Sequence, residues 1–348
     1  MIISKGIFGK TSAGETAELY TLDSGTGMKV EVSTLGGVIT KILVPDKNGK
    51  ETDVVLGYDS PVGYEQGTCF LGALIGRHAN RIKGGKISLG GREYNLFRND
   101  GNNHLHGGKA GFDRKIWSAR VTDGALVLSY ISKDGEEGYP GNLIVTVSVS
   151  LSEDHTLSFD YTAVCDQDTV CNLTNHSYFN LAGHASGSVT GQYIQIFADY
   201  YTPADKESLP TGEIARVEDT PMDLRAPVKI GEHIDDDYYQ LKFGGGYDHN
   251  WIIDGVPGEL RKMAFAYDEG TGISLTGYTT MPGMQFYSGN YLGDAGTGKG
   301  GTRYDKRWGF CLESQYYPNS MAIGHFKKPV LRAGDIFRET TSYRFGLI

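Results

Sequence analysis

Polar and apolar residues alternate along several stretches of the chain. Lys29-Val30-Glu31-Val32-Ser33-Thr34-Leu35 switches character at nearly every step, and Leu143-Ile144-Val145-Thr146-Val147-Ser148-Val149-Ser150-Leu151 keeps the same period of two for longer. Successive side chains of a strand point to opposite faces, so this period predicts strands with one face buried. Ala125–Tyr130 and Thr156–Val164 predict two more, the second after a short acidic turn. That is hairpin spacing; a parallel sheet would need long crossover helices, and no long helical period separates these runs. Short turns of helix are predicted near Ser60–Tyr64 and Ile230–Ile234. The 49 glycines are scattered singly and in pairs among 22 tyrosines, which fits many short strands joined by tight turns. The class is therefore all-β and antiparallel with very little helix, large enough to stack two sheets face to face. With no Pro/Ser-rich linker, charge block or clean repeat, residues 1–348 read as a single domain.

Charge narrows the partners. Lys and Arg total 33 against 42 Asp and Glu, a net charge of −9 with no basic run, which argues against nucleic acid and against an anionic membrane surface. No apolar stretch approaches spanning length, and Met1-Ile2-Ile3-Ser4-Lys5 reaches a charge too soon for a signal peptide. None of Cys69, Cys165, Cys171 and Cys311 forms a C-x-x-C pair, and Cys69 and Cys311 read as reduced core residues. A cytoplasmic protein with a small-molecule partner is expected. The glycine-rich run Gly293–Gly301 nearly matches a phosphate-binding loop, but Gly300 stands where Ser or Thr is needed and opposes the helix such a loop must open. It reads as a mobile loop beside the site.

Polar clusters interrupt the apolar pattern. In Leu173-Thr174-Asn175-His176-Ser177-Tyr178-Phe179-Asn180-Leu181, strand alternation puts Thr174, His176, Tyr178 and Asn180 on one face. Others are Gly76-Arg77-His78-Ala79-Asn80-Arg81-Ile82, Asn102-Asn103-His104-Leu105-His106-Gly107-Gly108, Tyr247-Asp248-His249-Asn250-Trp251, Met284-Gln285-Phe286-Tyr287 and Phe310-Cys311-Leu312-Glu313-Ser314-Gln315. Carboxylate, imidazole, guanidinium and amide groups with aromatics between them are the parts of a sugar pocket, since hydroxyl groups need donors and acceptors and ring faces lie on aromatic side chains. Glu313, isolated in an apolar strand, demands a partner if buried; beside His176 it would form an acid/base pair able to work near neutral pH. His104-x-His106 on a strand puts both imidazoles on one face, but the next residues, Gly107 to Gly111, include no carboxylate, so no metal site is expected.

At these motifs, and at Gly111-Phe112-Asp113, Trp117 and Asp134–Gly141, the chain resembles the aldose 1-epimerases, also called galactose mutarotases. The resemblance implies a large antiparallel β-supersandwich and a cofactor-independent isomerase interconverting the α and β anomers of free hexoses such as galactose and glucose. It implies Glu313 as general base and His176 as general acid. Asn80, Arg81, His106, Asp248 and Gln285 would hold the sugar, and Tyr178 would line the pocket. His78 and Ser314 depart from the family pattern, which commonly has Val and Thr there. His78 adjoins Asn80 and Arg81 and is expected to tune the pocket. Three alternatives stay open: a hexose-6-phosphate 1-epimerase of the same fold, which needs extra cations; a non-catalytic carbohydrate-binding module, which has no use for the Glu313/His176 pair; and a glycoside hydrolase, for which Asp248 and Glu313 are the candidate carboxylates.

Overall fold

Three antiparallel sheets carry the architecture in the computed structural model, which describes residues 1–348. The largest has nine strands in the order Ser118–Thr122, Ala125–Ser132, Leu143–Leu151, Thr156–Cys165, Phe337–Leu347, Ile273–Thr279, Arg261–Tyr267, Tyr193–Ile196 and Val228–Lys229. The first five strands of the chain form a meander that runs in sequence order from Ile2–Lys10 to Glu51–Asp53. The third sheet orders its strands Ala215–Arg216, Tyr200–Thr202, Asp248–Ile252, Gly283–Tyr287 and Cys311–Gln315.

The alternation seen in the sequence becomes burial. In Leu143–Leu151 the odd-numbered residues are buried and the even ones partly or fully exposed. Register sets Val149 opposite Phe159 and Val147 opposite Tyr161, so apolar rows cross the sheet on one face. These rows belong to one buried cluster that also takes Val30, Val32 and Ile42 from the meander and Met284, Phe286 and Leu312 from the third sheet. The large sheet thus has both smaller sheets against its apolar face. A polar seam crosses the contact: Tyr343 donates its hydroxyl to the Leu312 carbonyl at 2.7 Å.

Helix is scarce, as expected. Pro61–Gln66 forms where the sequence predicts it, with Pro61 at the first position and Ser60 as the cap, its Oγ accepting the Gly63 amide. The second predicted turn of helix is absent. At Ile230 and Gly231 the amides donate outward to Gln192 and Thr190 carbonyls rather than back along their own segment. The helix forms instead at Tyr239–Gly244, closed by Gly245 in the left-handed conformation.

Phe159 is 1 % exposed and packs edge-on to Tyr343 with centroids 6.3 Å apart. Phe159→Ala is expected to reduce unfolding free energy by about 3–5 kcal/mol in chemical denaturation, and a loss below about 1 kcal/mol would show that this row is not core.

Candidate active site

The third sheet has two unlike faces. Trp251, Met284, Phe286 and Leu312 go to the core. Asp248, Asn250, Gln285, Tyr287, Cys311, Glu313 and Gln315 share the other face, because Gln285 stands opposite both Asn250 and Glu313, and Tyr287 opposite both Asp248 and Cys311. This polar face is one wall of a cavity of about 260 Å³ whose lining includes Phe70, Asn80, Arg81, His106, His176, Tyr178 and Glu313. That lies just below the roughly 300–1,000 Å³ usual for drug-sized ligands and suits a single sugar ring.

The opposite wall comes from irregular segments. Strand geometry in the His176 motif lasts only for Thr174–Asn175. Beyond it, His176 exchanges backbone bonds with Gly72 and Ala73, and Phe179 pairs with Phe310, next to the Glu313 strand. His176 and Tyr178 still reach the same side, their rings stacked at 5.0 Å. Asn180, expected with them, turns away to the Gly187 and Trp308 carbonyls. Thr174 also lies outside the cavity lining.

The segment bearing Asn80 and Arg81 is anchored from behind. The Arg77 guanidinium, wholly buried, donates to Ser132 Oγ, to Thr169 Oγ1 and to the carbonyls of Ser132, Lys133, Pro140 and Gly141. Arg77 is therefore structural. Phe70, Asn80 and His106 adopt left-handed backbone (φ 56°, 64° and 48°), which places three of the nine such non-glycine residues on the cavity wall. Each stores roughly 1–3 kcal/mol of strain. Gly107 follows His106 at φ 91°, where a Cβ would meet the Gly76 carbonyl at 1.8 Å.

That bend overturns the shared face expected for His104 and His106. The strand ends at Leu105. His104 bonds the Phe97 carbonyl and the Tyr139 hydroxyl away from the cavity. His106 enters it, and its Nδ1 accepts the Asn80 amide at 3.1 Å. A neutral imidazole that accepts at Nδ1 carries its hydrogen on Nε2, so His106 presents a donor to the cavity. His106, His176 and Glu313 have donor atoms within 4.8 Å of one another. A protonated Nε2 cannot ligate, however, and the triad does not suit a metal as it stands.

The centre of the site is the contact of His176 Nε2 with Glu313 Oε2 at 3.5 Å, with side chains 5 % and 3 % exposed. Burial, reinforced by Asp248, raises the Glu313 carboxyl well above the usual range, with Arg81 acting against it. Burial lowers His176 to about 4. Burial also holds His106 well below the usual imidazole range, helped by His176 and Arg81. Arg81 is paired with Asp100 at 2.8 Å.

Several expectations are corrected. Gln285 shares the sheet's polar face but does not itself line the cavity; it donates to Asp248 Oδ1 at 2.7 Å and accepts from Gln315. It orients Asp248. Cys311 is reduced and buried in a core cluster, as expected, and also touches His176 Nδ1 at 3.5 Å; Cys69, packed against that cluster, lines the cavity as well. His78 is fully buried behind the wall with both ring nitrogens unpartnered. The glycine-rich loop does flank the site, through Tyr291 and Asp294, but it is pinned: Lys299 is buried and bonds Asp53 at 2.6 Å and the Thr40 carbonyl at 2.9 Å. Thr68 and Tyr291, which carry no motif in the sequence, also line the cavity, as do Tyr287 of the Met284–Tyr287 cluster and Asp294 of the glycine-rich run.

His104, His176 and His249 are held near pKa 4 and His78 near 3, chiefly by burial. Their folded values lie below the unfolded value of about 6.5, so as pH falls the unfolded chain binds protons first. Through these four groups stability is expected to drop by on the order of several kcal/mol between about pH 6.5 and 4, offset in part by Asp113 and Glu313, whose folded values burial raises. Denaturation midpoints measured at stepped pH test this, and a flat profile across that window contradicts it.

Comparisons agree with the geometry. A family model described as aldose 1-epimerase matches residues 18–344. The chain is 42% identical to human galactose mutarotase over 346 residues, 99% of each chain. It is 35% identical to the aldose 1-epimerase of Escherichia coli (strain K12), covering 95% of this chain and 96% of that one. Among solved structures, an aldose epimerase homologue from C. elegans superposes with a TM-score of 0.88 at 27% identity, covering 95% of this chain and 99% of that one. A galactose 1-epimerase from Lactobacillus acidophilus NCFM gives 0.86 at 27% identity, covering 100% and 99%.

Proposed function

The chain belongs to the aldose 1-epimerase family, and from that membership we propose that it opens and recloses the rings of free hexoses with Glu313 and His176 as its proton-transfer pair. It is an isomerase, and its activity is the interconversion of α and β anomers. The observation that carries the residue roles is the Glu313–His176 contact on the wall of a polar cavity. The two oxygens that exchange protons, O1 and the ring oxygen, are bonded to the same carbon. Their partners must therefore be neighbours, and these two groups are.

The steps balance without an outside reactant. The Glu313 carboxylate takes the O1 proton. The O1 electrons form the C1 carbonyl, the bond from C1 to the ring oxygen breaks, and that oxygen takes the Nε2 proton of the His176 imidazolium. Rotation about C1–C2 turns the other carbonyl face inward, and the reverse transfers close the ring. Ring opening leaves a carboxylic acid beside a neutral imidazole. That is the form burial favours in the empty cavity. Binding must shift the single shared proton to His176, and Arg81 assists by favouring the Glu313 anion. Asn80, Arg81, His106, Tyr178 and Asp248 hold the remainder of the sugar while C1 turns. Gln285 supports Asp248.

The charges favour an unphosphorylated sugar. A phosphate would face Asp248, Asp294 and Glu313 with Arg81 as the one guanidinium, itself paired with Asp100. Asp248 and Glu313 also lie on the same wall, in adjacent rows of one sheet, rather than across a scissile bond from each other. We further read residues 1–348 as one domain acting on a monosaccharide in the cytoplasm. One buried cluster draws on all three sheets, the four cysteines are unpaired, and no helix is long and apolar enough to cross a membrane.

Glu313→Gln is expected to slow mutarotation of fresh α-galactose by about 10²–10⁴-fold in polarimetry, while galactose still binds in calorimetry. A rate within twofold of the unaltered enzyme removes Glu313 as base, and comparable turnover of glucose 6-phosphate removes the preference for free sugars.

A further inference from the structure

Cys311 is a buried thiol that the proton-transfer scheme leaves idle. It lies two residues before Glu313 on the same strand, so both side chains share the cavity face. Cys311 Sγ is 3.5 Å from His176 Nδ1, and Glu313 Oε2 is 3.5 Å from Nε2. One strand thus holds both nitrogens of the same ring. We propose that Cys311 is a positioning residue, whose sulfur accepts the Nδ1 hydrogen of His176 and so reserves Nε2 for the proton that moves.

The inference rests on His176 as the acid. In that role the ring alternates between imidazolium and neutral imidazole, and only the Nε2 hydrogen should be exchanged. An acceptor at Nδ1 enforces this in both states. When Glu313 carries the shared proton, Nε2 must be bare to take it back, which again requires the remaining ring hydrogen on Nδ1. Burial raises the Cys311 thiol well above its usual range, so it stays protonated and adds no charge beside Glu313. The weakness of sulfur as an acceptor also matters. A carboxylate at this place would hold the imidazolium proton tightly, whereas a thiol orients the ring and leaves it acidic. The other groups around His176 are Tyr178 on its own segment, His106, Arg81 and Cys69 on the loops, and Asp248, Tyr287 and Glu313 on the sheet. None of these side chains bonds Nδ1, and the one other acceptor beside the ring is His176's own backbone carbonyl, which Cys311 variants leave in place.

The test compares the unaltered enzyme with Cys311→Ala and Cys311→Ser. Nitrogen-15 spectra of labelled histidine should show His176 of the unaltered enzyme as the Nδ1–H tautomer and a mixture in Cys311→Ala. For galactose, kcat should fall about five- to tenfold in Cys311→Ala, KM should change less than twofold, and Cys311→Ser should recover part of the loss. The alkaline limb of kcat should move in the order Ala, Cys, Ser, because a better acceptor at Nδ1 holds the imidazolium to higher pH. An Nε2–H tautomer in the unaltered enzyme, or one limb shared by all folded variants, overturns the proposal. If Cys311→Ala fails to fold, the Ser comparison alone decides by the same criteria. Failure of the acid role itself would appear separately, as full activity in His176→Gln, while the tautomer spectra still report the thiol contact.

Discussion

A carboxyl and an imidazole in contact, both cut off from water, set the terms for the rest of the molecule. In solvent each would ionise independently. Inside the wall between the third sheet and the His176 segment burial penalises charge on either, raising the carboxyl's hold on a proton and lowering the imidazole's. A pair poised in that way suits a reaction that only relocates hydrogens on a single carbon. The surrounding groups then have narrower tasks. Arg81 biases the carboxyl toward its anion, His106 can only donate, and Asp248 is kept in place by the Gln285 amide.

Making that contact takes most of the fold. Glu313 comes from the outermost strand of its sheet, and His176 from a segment with almost no regular structure. They are joined through Phe179 and Phe310, whose backbones pair while their rings belong to the central cluster. Behind the other wall, the six hydrogen bonds of Arg77 tie the Asn80–Arg81 bend to Ser132 at the end of a large-sheet strand, to the connection that follows it and to Thr169. Residues in left-handed backbone line the cavity because surrounding contacts hold them there, and the bend at His106 is possible because its successor is Gly107.

Much of this was legible in the chain itself. The strands at 143–151 and 156–165 announce themselves by alternation, and Glu313, His176, Arg81, Asp248 and His106 stand out as polar residues in apolar company. What periodicity misreads is the place where strands stop. Alternation puts His104 and His106 on one face, but the backbone turns between them, and no pattern of polarity encodes a positive φ at a histidine. Gln285 carries the same chemistry as a ligand-binding amide, and only register across three strands shows it beside Asp248. Tyr291 and Asp294 reach the cavity because Lys299 fastens their loop from the far end, a long-range contact with Asp53 that local sequence does not signal.

The two walls differ in how freely they can vary. The sheet wall is rigid in composition: its opposite face is the molecule's interior, so exchanging Phe286 or Leu312 would displace Asp248, Tyr287 and Glu313 together. The mouth is built from Thr68, Tyr291 and Asp294 on connecting segments. Descendants of this chain could therefore diverge in which sugar they admit while inheriting the same acid–base machinery intact. What the mouth contributes to choosing a sugar lies on other stretches of polypeptide than Glu313 and His176, and selection can edit one without erasing the other.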